Sequence, residues 1–124
     1  MPLTCLIVDD NLEFLEAARQ LLADDGLTVV GFAGTSDEAV DAVLALRPDV
    51  ALVDIDLGAE SGFDVARRLA GIPGGGPPIV LISAESGGEL EELVDASGAR
   101  GFVSKTDLSG DAIRELLAQA GTEC

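Results

Sequence analysis

The stretch ALVDIDLGAESG, residues 51 to 62, sets an apolar run, Ala51-Leu52-Val53, directly against an acid, Asp54, and places a second acid at Asp56. A short run of this kind reads as a strand buried on both faces, the habit of parallel sheets. A core strand that ends on a carboxylate needs a reason, because charged groups are rarely taken into an interior without a partner. Acids alone are no signal in a chain with 23 of them against 7 bases. What decides is where the other acids fall relative to the other strands.

Outward from this run, short segments rich in Val, Ile and Leu alternate with longer segments of helical period, the pattern of βα units around a parallel sheet. Strands are predicted at Thr4–Val8, Thr28–Phe32, Val50–Val53, Ile79–Ile82 and Gly101–Val103. Leu12, Leu15, Ala18, Leu21 and Leu22 lie at helical spacing, so Leu12–Ala23 is an amphipathic helix capped by Asp10 or Asn11. Thr35-Ser36-Asp37-Glu38 opens a second helix as a capping box, and Arg47-Pro48 closes it. A third runs from Gly62 or Phe63 to Ala70, a weaker fourth from Glu89 to Ala96, and a fifth follows Ser109 to about Ala120. The Gly/Pro-rich segment 71–78 lies between a helix and a strand and reads as a tether; it does not match a phosphate-binding loop.

Length and composition fit this scheme. The 124 residues are enough for one domain, 1–124, with a substantial core, and 48% of them are apolar despite a net charge of −16. No apolar run approaches the roughly 20 residues that span a bilayer, and the start lacks a secretory signal, so no membrane association and a cytoplasmic location are expected. With no His and only Cys5 and Cys124, a zinc site or disulfide framework is not expected. Nucleic-acid affinity is built from Lys and Arg neutralising phosphates, so direct nucleic-acid binding is not expected of these residues.

The polar residues at the strand ends form a pattern. Asp9-Asp10 follow the first strand, Asp54 the third, Ser83 the fourth and Lys105 the fifth. A parallel sheet brings these ends together into one crevice, where ligands of such folds bind. The chain's other Asp-Asp pair, Asp24-Asp25, precedes the second strand, lies at the other end and reads as a solvated turn. Three carboxylates held close repel one another, which protonating one of them or binding a cation relieves. Oxygen-only ligation points to a hard ion, and a small site suits Mg2+. With Lys105 and Ser83 beside it, such a site can hold the oxygens of a phosphoryl group attacked by a carboxylate, for which Asp54 is the nucleophile.

These motifs, Asp9-Asp10, Asp54 within LVDIDL, Ser83-Ala84 and Lys105 within GFVSK, make the chain resemble the receiver domain of two-component response regulators, chemotaxis-regulator-like, over essentially its whole length. The resemblance implies a flavodoxin-like (βα)5 α/β sandwich, its parallel sheet ordered 2-1-3-4-5 with five helices around it. It implies phosphorylation of Asp54 by a sensor histidine kinase or phosphotransfer protein, with the chain catalysing its own phosphorylation and dephosphorylation without being a dedicated enzyme. Asp10 and Asp54 would ligate Mg2+ directly, Asp9 mainly through water and Asp56 through its backbone carbonyl, while Lys105 and Ser83 contact the phosphoryl group. A switch pair, Ser83 and Phe102, would reshape the face of the fourth helix, fifth strand and fifth helix toward an output domain, effector or second copy. Asp56 and Glu85 are the positions expected to tune the lifetime of the phosphorylated state. Two departures stand out: Gly58 where a Pro often follows, and Lys105-Thr106 where Lys-Pro is usual. A cis peptide before a non-proline costs about 2.5–4 kcal/mol, and the isomer at Lys105-Thr106 is left open.

Two other readings compete. Asp54-Ile-Asp56 also resembles the DxD of haloacid-dehalogenase-type phosphatases, although that motif follows a first strand, not a third. A receiver fold that binds partners without accepting phosphate would be expected to have lost Asp54, an acidic-pair residue or Lys105, and none is lost.

Overall fold

The structure is a computed structural model that describes residues 3–57, 60–83 and 99–122, with side chains through residue 118. Its strands are β1 (Thr4–Val8), β2 (Thr28–Ala33), β3 (Val50–Asp54), β4 (Ile79–Ser83) and β5 (Gly101–Ser104). They form one parallel sheet in the order β2-β1-β3-β4-β5. Among the described residues the helices are α1 (Leu12–Asp24), α2 (Ser36–Leu46), α3 (Gly62–Ala70) and a C-terminal helix (Gly110–Thr122), with a 3-10 turn at Lys105–Asp107. The helix expected over Glu89–Ala96 lies outside the described residues, as do Gly58, Glu85 and Cys124.

The alternation of side chains along each strand sorts the core into two layers. On one face Leu6, Val8, Ala51, Val53, Ile79 and Leu81 pack with Ala39 and Val43 of α2 and Val65, Ala66 and Leu69 of α3. On the other, Cys5, Ile7, Leu52, Val80, Ile82 and Val103 pack with Leu15, Ala18 and Leu22 of α1 and Ile113 of the C-terminal helix. Burial on both faces is why these strands read as continuous apolar runs.

Four strands run one residue past their sequence-based ends, to Ala33, Asp54, Ser83 and Ser104. Asp54 pairs with Ile82, Ser83 with Ser104, and Ala33 with Val8. The ladder joins backbone groups, so it continues past the point where side chains turn polar. Asp54 and Ser83 are therefore held in the sheet itself, whereas Asp9, Asp10 and Lys105 follow the ends of their strands.

The helix starts follow their side chains. Asn11 caps α1 by accepting from Phe14 N at 3.2 Å, Ser61 caps α3 through Phe63 N, and Ser109 caps the C-terminal helix through Ala112 N. The capping box of α2 is only half reciprocal: Thr35 accepts from Glu38 N, but the Glu38 carboxylate reaches back to Gly34 N, one residue earlier than expected. The 71–78 segment is anchored by the buried Ile72, with Gly74 and Gly75 in the left-handed region at φ 87° and 90°.

Cys5, fully buried in β1, has its thiol pushed up from 9.0 to about 11 by burial. A raised pKa means stability that is present below the unfolded value and lost as pH rises through the folded one. Wild type is expected to lose about 2–3 kcal/mol between pH 9 and 11 from this group. Urea titrations of Cys5→Ala across that window should lack this part of the slope.

Candidate functional site

The two-residue period fixes which crevice residues face one another. Ile7, Leu52 and Val103 belong to the α1 face, so Asp9, Asp54 and Lys105, each two residues further along, are directed to that side of the sheet ends. Leu81 belongs to the opposite face and Phe102 packs against that layer; Ser83, two residues after Leu81, falls on Phe102's side.

Lys105 Nζ lies 2.8 Å from Asp9 Oδ2 and 3.1 Å from Asp54 Oδ2. The contact with Asp54 is a hydrogen bond; the approach to Asp9 is a close ion pair outside hydrogen-bond geometry, which leaves buried Asp9 Oδ2 without a directed donor. Asp9 Oδ1 accepts from Asn11 N at 2.9 Å, and Asp54 Oδ1 accepts from Asp56 N at 3.0 Å. Each acid is thus gripped by its own loop through one oxygen and turned toward Lys105 with the other. Asp9 is 1% exposed and Asp54 6%, whereas Asp10 and Asp56 are exposed.

Burial is the strongest influence on the Asp54 carboxyl and raises its pKa. The Asp56 N–H pulls it down, the Asp9 charge pushes it up again and Lys105 pulls it down, with a net rise. Burial works against the Lys105 ammonium, but its two carboxylate partners outweigh that and raise its pKa. Both shifts describe acids crowded together and held by one shared cation.

Carboxylate oxygens of Asp9, Asp10 and Asp54 lie within 4.8 Å of one another. Three acids against one lysine leave two negative charges, and one buried oxygen has no hydrogen-bond donor. An all-oxygen donor set of that charge fits a hard divalent cation. The Lys105–Thr106 peptide is trans, there being no cis peptide among the described residues, and Lys105 still reaches both acids.

A family model for the response regulator receiver domain matches residues 5–118. The chain belongs to the response regulator receiver family. It is 38% identical over 107 residues to protein-glutamate methylesterase/protein-glutamine glutaminase 2 of Syntrophomonas wolfei, covering 84% of this chain and 30% of that protein. It is 35% identical over 115 residues to the uncharacterized transcriptional regulatory protein YvfU of Bacillus subtilis, covering 90% of this chain and 57% of that protein. The signal receiver domain of a modulated diguanylate cyclase from Desulfovibrio desulfuricans G20 superposes with a TM-score of 0.78 at 30% identity, covering 97% of this chain and 94% of that one. The chain thus spans 30% and 57% of the length of these two relatives.

Receiver domains bind Mg2+ at an acidic pocket and interact with histidine kinases and output domains, and this chain has the acidic pocket. The phosphatase reading of Asp54-Ile-Asp56 falls with the family and with the position of Asp54 on the third strand. YvfU is a transcriptional regulatory protein, which conflicts with the expectation that nucleic acid is not bound directly. Among the described residues no helix is long and apolar enough to cross a membrane.

The sequence reading missed several contacts. Lys105 Nζ stands 4.2 Å from the centroid of the Phe14 ring. Glu60, in the connection that follows Asp54, accepts from Ser36 N at the start of α2, and Ser36 Oγ accepts from Arg68 of α3; the bonds to Ser36 hold the Glu60 carboxyl below the usual range. Asp25, read as a solvated turn, accepts from Gly110 N at 2.8 Å.

Proposed function

We propose that the 124 residues act as one receiver unit whose Asp54 accepts a phosphoryl group from a histidine kinase or phosphotransfer protein in the cytoplasm. The observation that carries this reading is the shared lysine: Lys105 lies within 3.1 Å of carboxylate oxygens of two buried acids, one just after β1 and one at the end of β3. That is a costly arrangement for stability alone, and it suits a site that must take up and release charge. Of the three acids, Asp9 is fully enclosed and Asp10 faces solvent, while Asp54 is at the crevice with one oxygen fixed by Asp56 N.

In the reaction an Asp54 oxygen attacks the phosphorus of a phosphoimidazole in line. The phosphorus–nitrogen bond breaks, its electron pair returns to the imidazole, and an acyl phosphate forms on Asp54. When bound, Mg2+ supplies positive charge to the phosphoryl oxygens, and Asp10, Asp54, the Asp56 carbonyl and, through water, Asp9 are the groups that would hold it. Lys105 exchanges its carboxylate partners for a phosphoryl oxygen, and Ser83 donates its hydroxyl to another. Phe102 follows Ser83 as the switch aromatic, a coupling supported by their common face of the sheet. The changed face around β5 and the C-terminal helix then acts on an output domain, an effector or a second copy. Asp56 and Glu85 tune hydrolysis of the acyl phosphate.

The test is to offer the protein acetyl phosphate with Mg2+ and follow intact mass. Wild type is expected to take up a single base-labile phosphoryl group and Asp54→Asn none. No uptake by wild type, or equal uptake by the Asn variant, overturns the reading.

A further inference from the structure

The contacts around Lys105 form a closed circuit. Asp9 Oδ1 accepts from Asn11 N, Asn11 Oδ1 caps Phe14 N, the Phe14 ring stands 4.2 Å from Lys105 Nζ, and Lys105 returns to Asp9 and Asp54. The loop after β1 therefore sets both an acid of the site and, through the first turn of α1, the ring beside Lys105. Phe14 is half-buried, and the chain has just four phenylalanines and no Tyr or Trp.

We infer that Phe14 is a positioning residue for the phosphoryl-transfer site, its ring face holding the Lys105 ammonium at the crevice between Asp9 and Asp54. A lysine ammonium is a compact charge on a flexible stem, so carboxylates alone leave its place dependent on their own state. During transfer Asp54 stops being a free carboxylate, and one of the two anchors changes. An aromatic face attracts the cation through its quadrupole without taking up an N–H donor. Phe14 thereby keeps the ammonium in place while its N–H groups turn from carboxylate to phosphoryl oxygen. A leucine would fill the space without that attraction, and a carboxylate would compete for the donors.

The inference rests on Asp54 being the acceptor, and the experiment separates the two. Phosphoryl uptake from acetyl phosphate with Mg2+ is measured for wild type, Phe14→Leu, Phe14→Trp and a series carrying one, two or three fluorines on the ring of residue 14. Phe14→Leu is expected to slow uptake about fivefold and Phe14→Trp to stay within about twofold of wild type. The fluorinated series, nearly constant in size, should slow stepwise as the ring face loses negative potential, which a merely packing role would not produce. Independently of uptake, the ε-methylene protons of Lys105 should be displaced upfield by the ring current in wild type and return in Phe14→Leu. A flat fluorine series in a wild type that does accept phosphate overturns the inference while leaving the receiver reading intact. If wild type accepts none, the receiver reading fails, and the absence of the ring-current displacement overturns the placement of Lys105 by Phe14 as well.

Discussion

Replacing Lys105 by Met is expected to cost the metal-free protein about 3 kcal/mol or more at neutral pH, because it strips two buried carboxylates of the cation they share. Asp9 is the more exposed to this loss in energetic terms: its side chain is fully enclosed and its Oδ2 has no hydrogen-bond donor to fall back on. Asp54 keeps the Asp56 N–H but loses both influences of Lys105 that hold its raised carboxyl down, so its pKa climbs further. A carboxyl with a raised folded pKa contributes stability that is present below the unfolded value, near 3.9, and lost as pH rises through the folded one. The deficit of Lys105→Met should therefore be small near pH 4 and grow toward pH 7, and millimolar Mg2+ should recover part of it by supplying positive charge to the same oxygens. Urea unfolding at both pH values, with and without Mg2+, measures this. A deficit independent of pH and of Mg2+ would mean that the lysine matters only through the packing of its stem. Phosphoryl uptake should fall in the same variant even with Mg2+ present, since the ion does not replace the donor that meets the phosphoryl oxygen.

Much of this site was legible because in a βα alternation the order of residues along the chain also states where they lie. Asp9, Asp10, Asp54, Ser83 and Lys105 each stand at the carboxyl end of a strand, and a parallel sheet gathers those ends whatever the details of the loops. The spare acids Asp24 and Asp25 could be set aside from the crevice by the same rule. The boundaries erred where side-chain polarity and backbone pairing part company: Asp54 and Ser83 are polar, yet their backbones stay in the ladder. Phe14 was hidden for a different reason. It sits in the amphipathic stretch of α1, where an aromatic reads as core, and its role depends on the direction Lys105 takes through the 3-10 turn. The Glu60–Ser36–Arg68 bonds and the Asp25–Gly110 bond join residues far apart in sequence across helix placements that no local pattern encodes. The half-reciprocal cap of α2 is a single-residue matter of the same kind, decided by the path of Gly34.

Gly62→Ala is expected to destabilise the fold by about 2–3 kcal/mol and to disable the site more than the stability loss explains. Gly62 opens α3, where an alanine would ordinarily help: helix propensity alone favours Ala over Gly by about 1 kcal/mol. Its φ is not in the left-handed region, so conformation does not demand glycine. Space does. A Cβ at residue 62 would fall inside contact distance of the Asp54 carbonyl oxygen and the Ile55 Cα, both backbone atoms that cannot swing aside. Gly62 N also donates to Ile55 O at 2.9 Å, so the helix start is pressed against the end of β3 by a bond as well as by shape. To admit a methyl group, either α3 lifts from the sheet and uncovers Val65 and Leu69, or the Asp54–Asp56 corner shifts and turns the carboxylate away from Lys105. The first response lowers the urea midpoint; the second slows phosphoryl uptake at temperatures where the variant is fully folded, and both are expected together. Gly71→Ala is the control, since a Cβ there meets only the Arg67 and Arg68 carbonyl oxygens at ordinary distances of 3.6 and 3.7 Å, and it should change stability by no more than about 0.5 kcal/mol. If Gly62→Ala matched that control in both measurements, helix propensity would have outweighed the clash, and the seating of α3 against β3 would not be what aims Asp54.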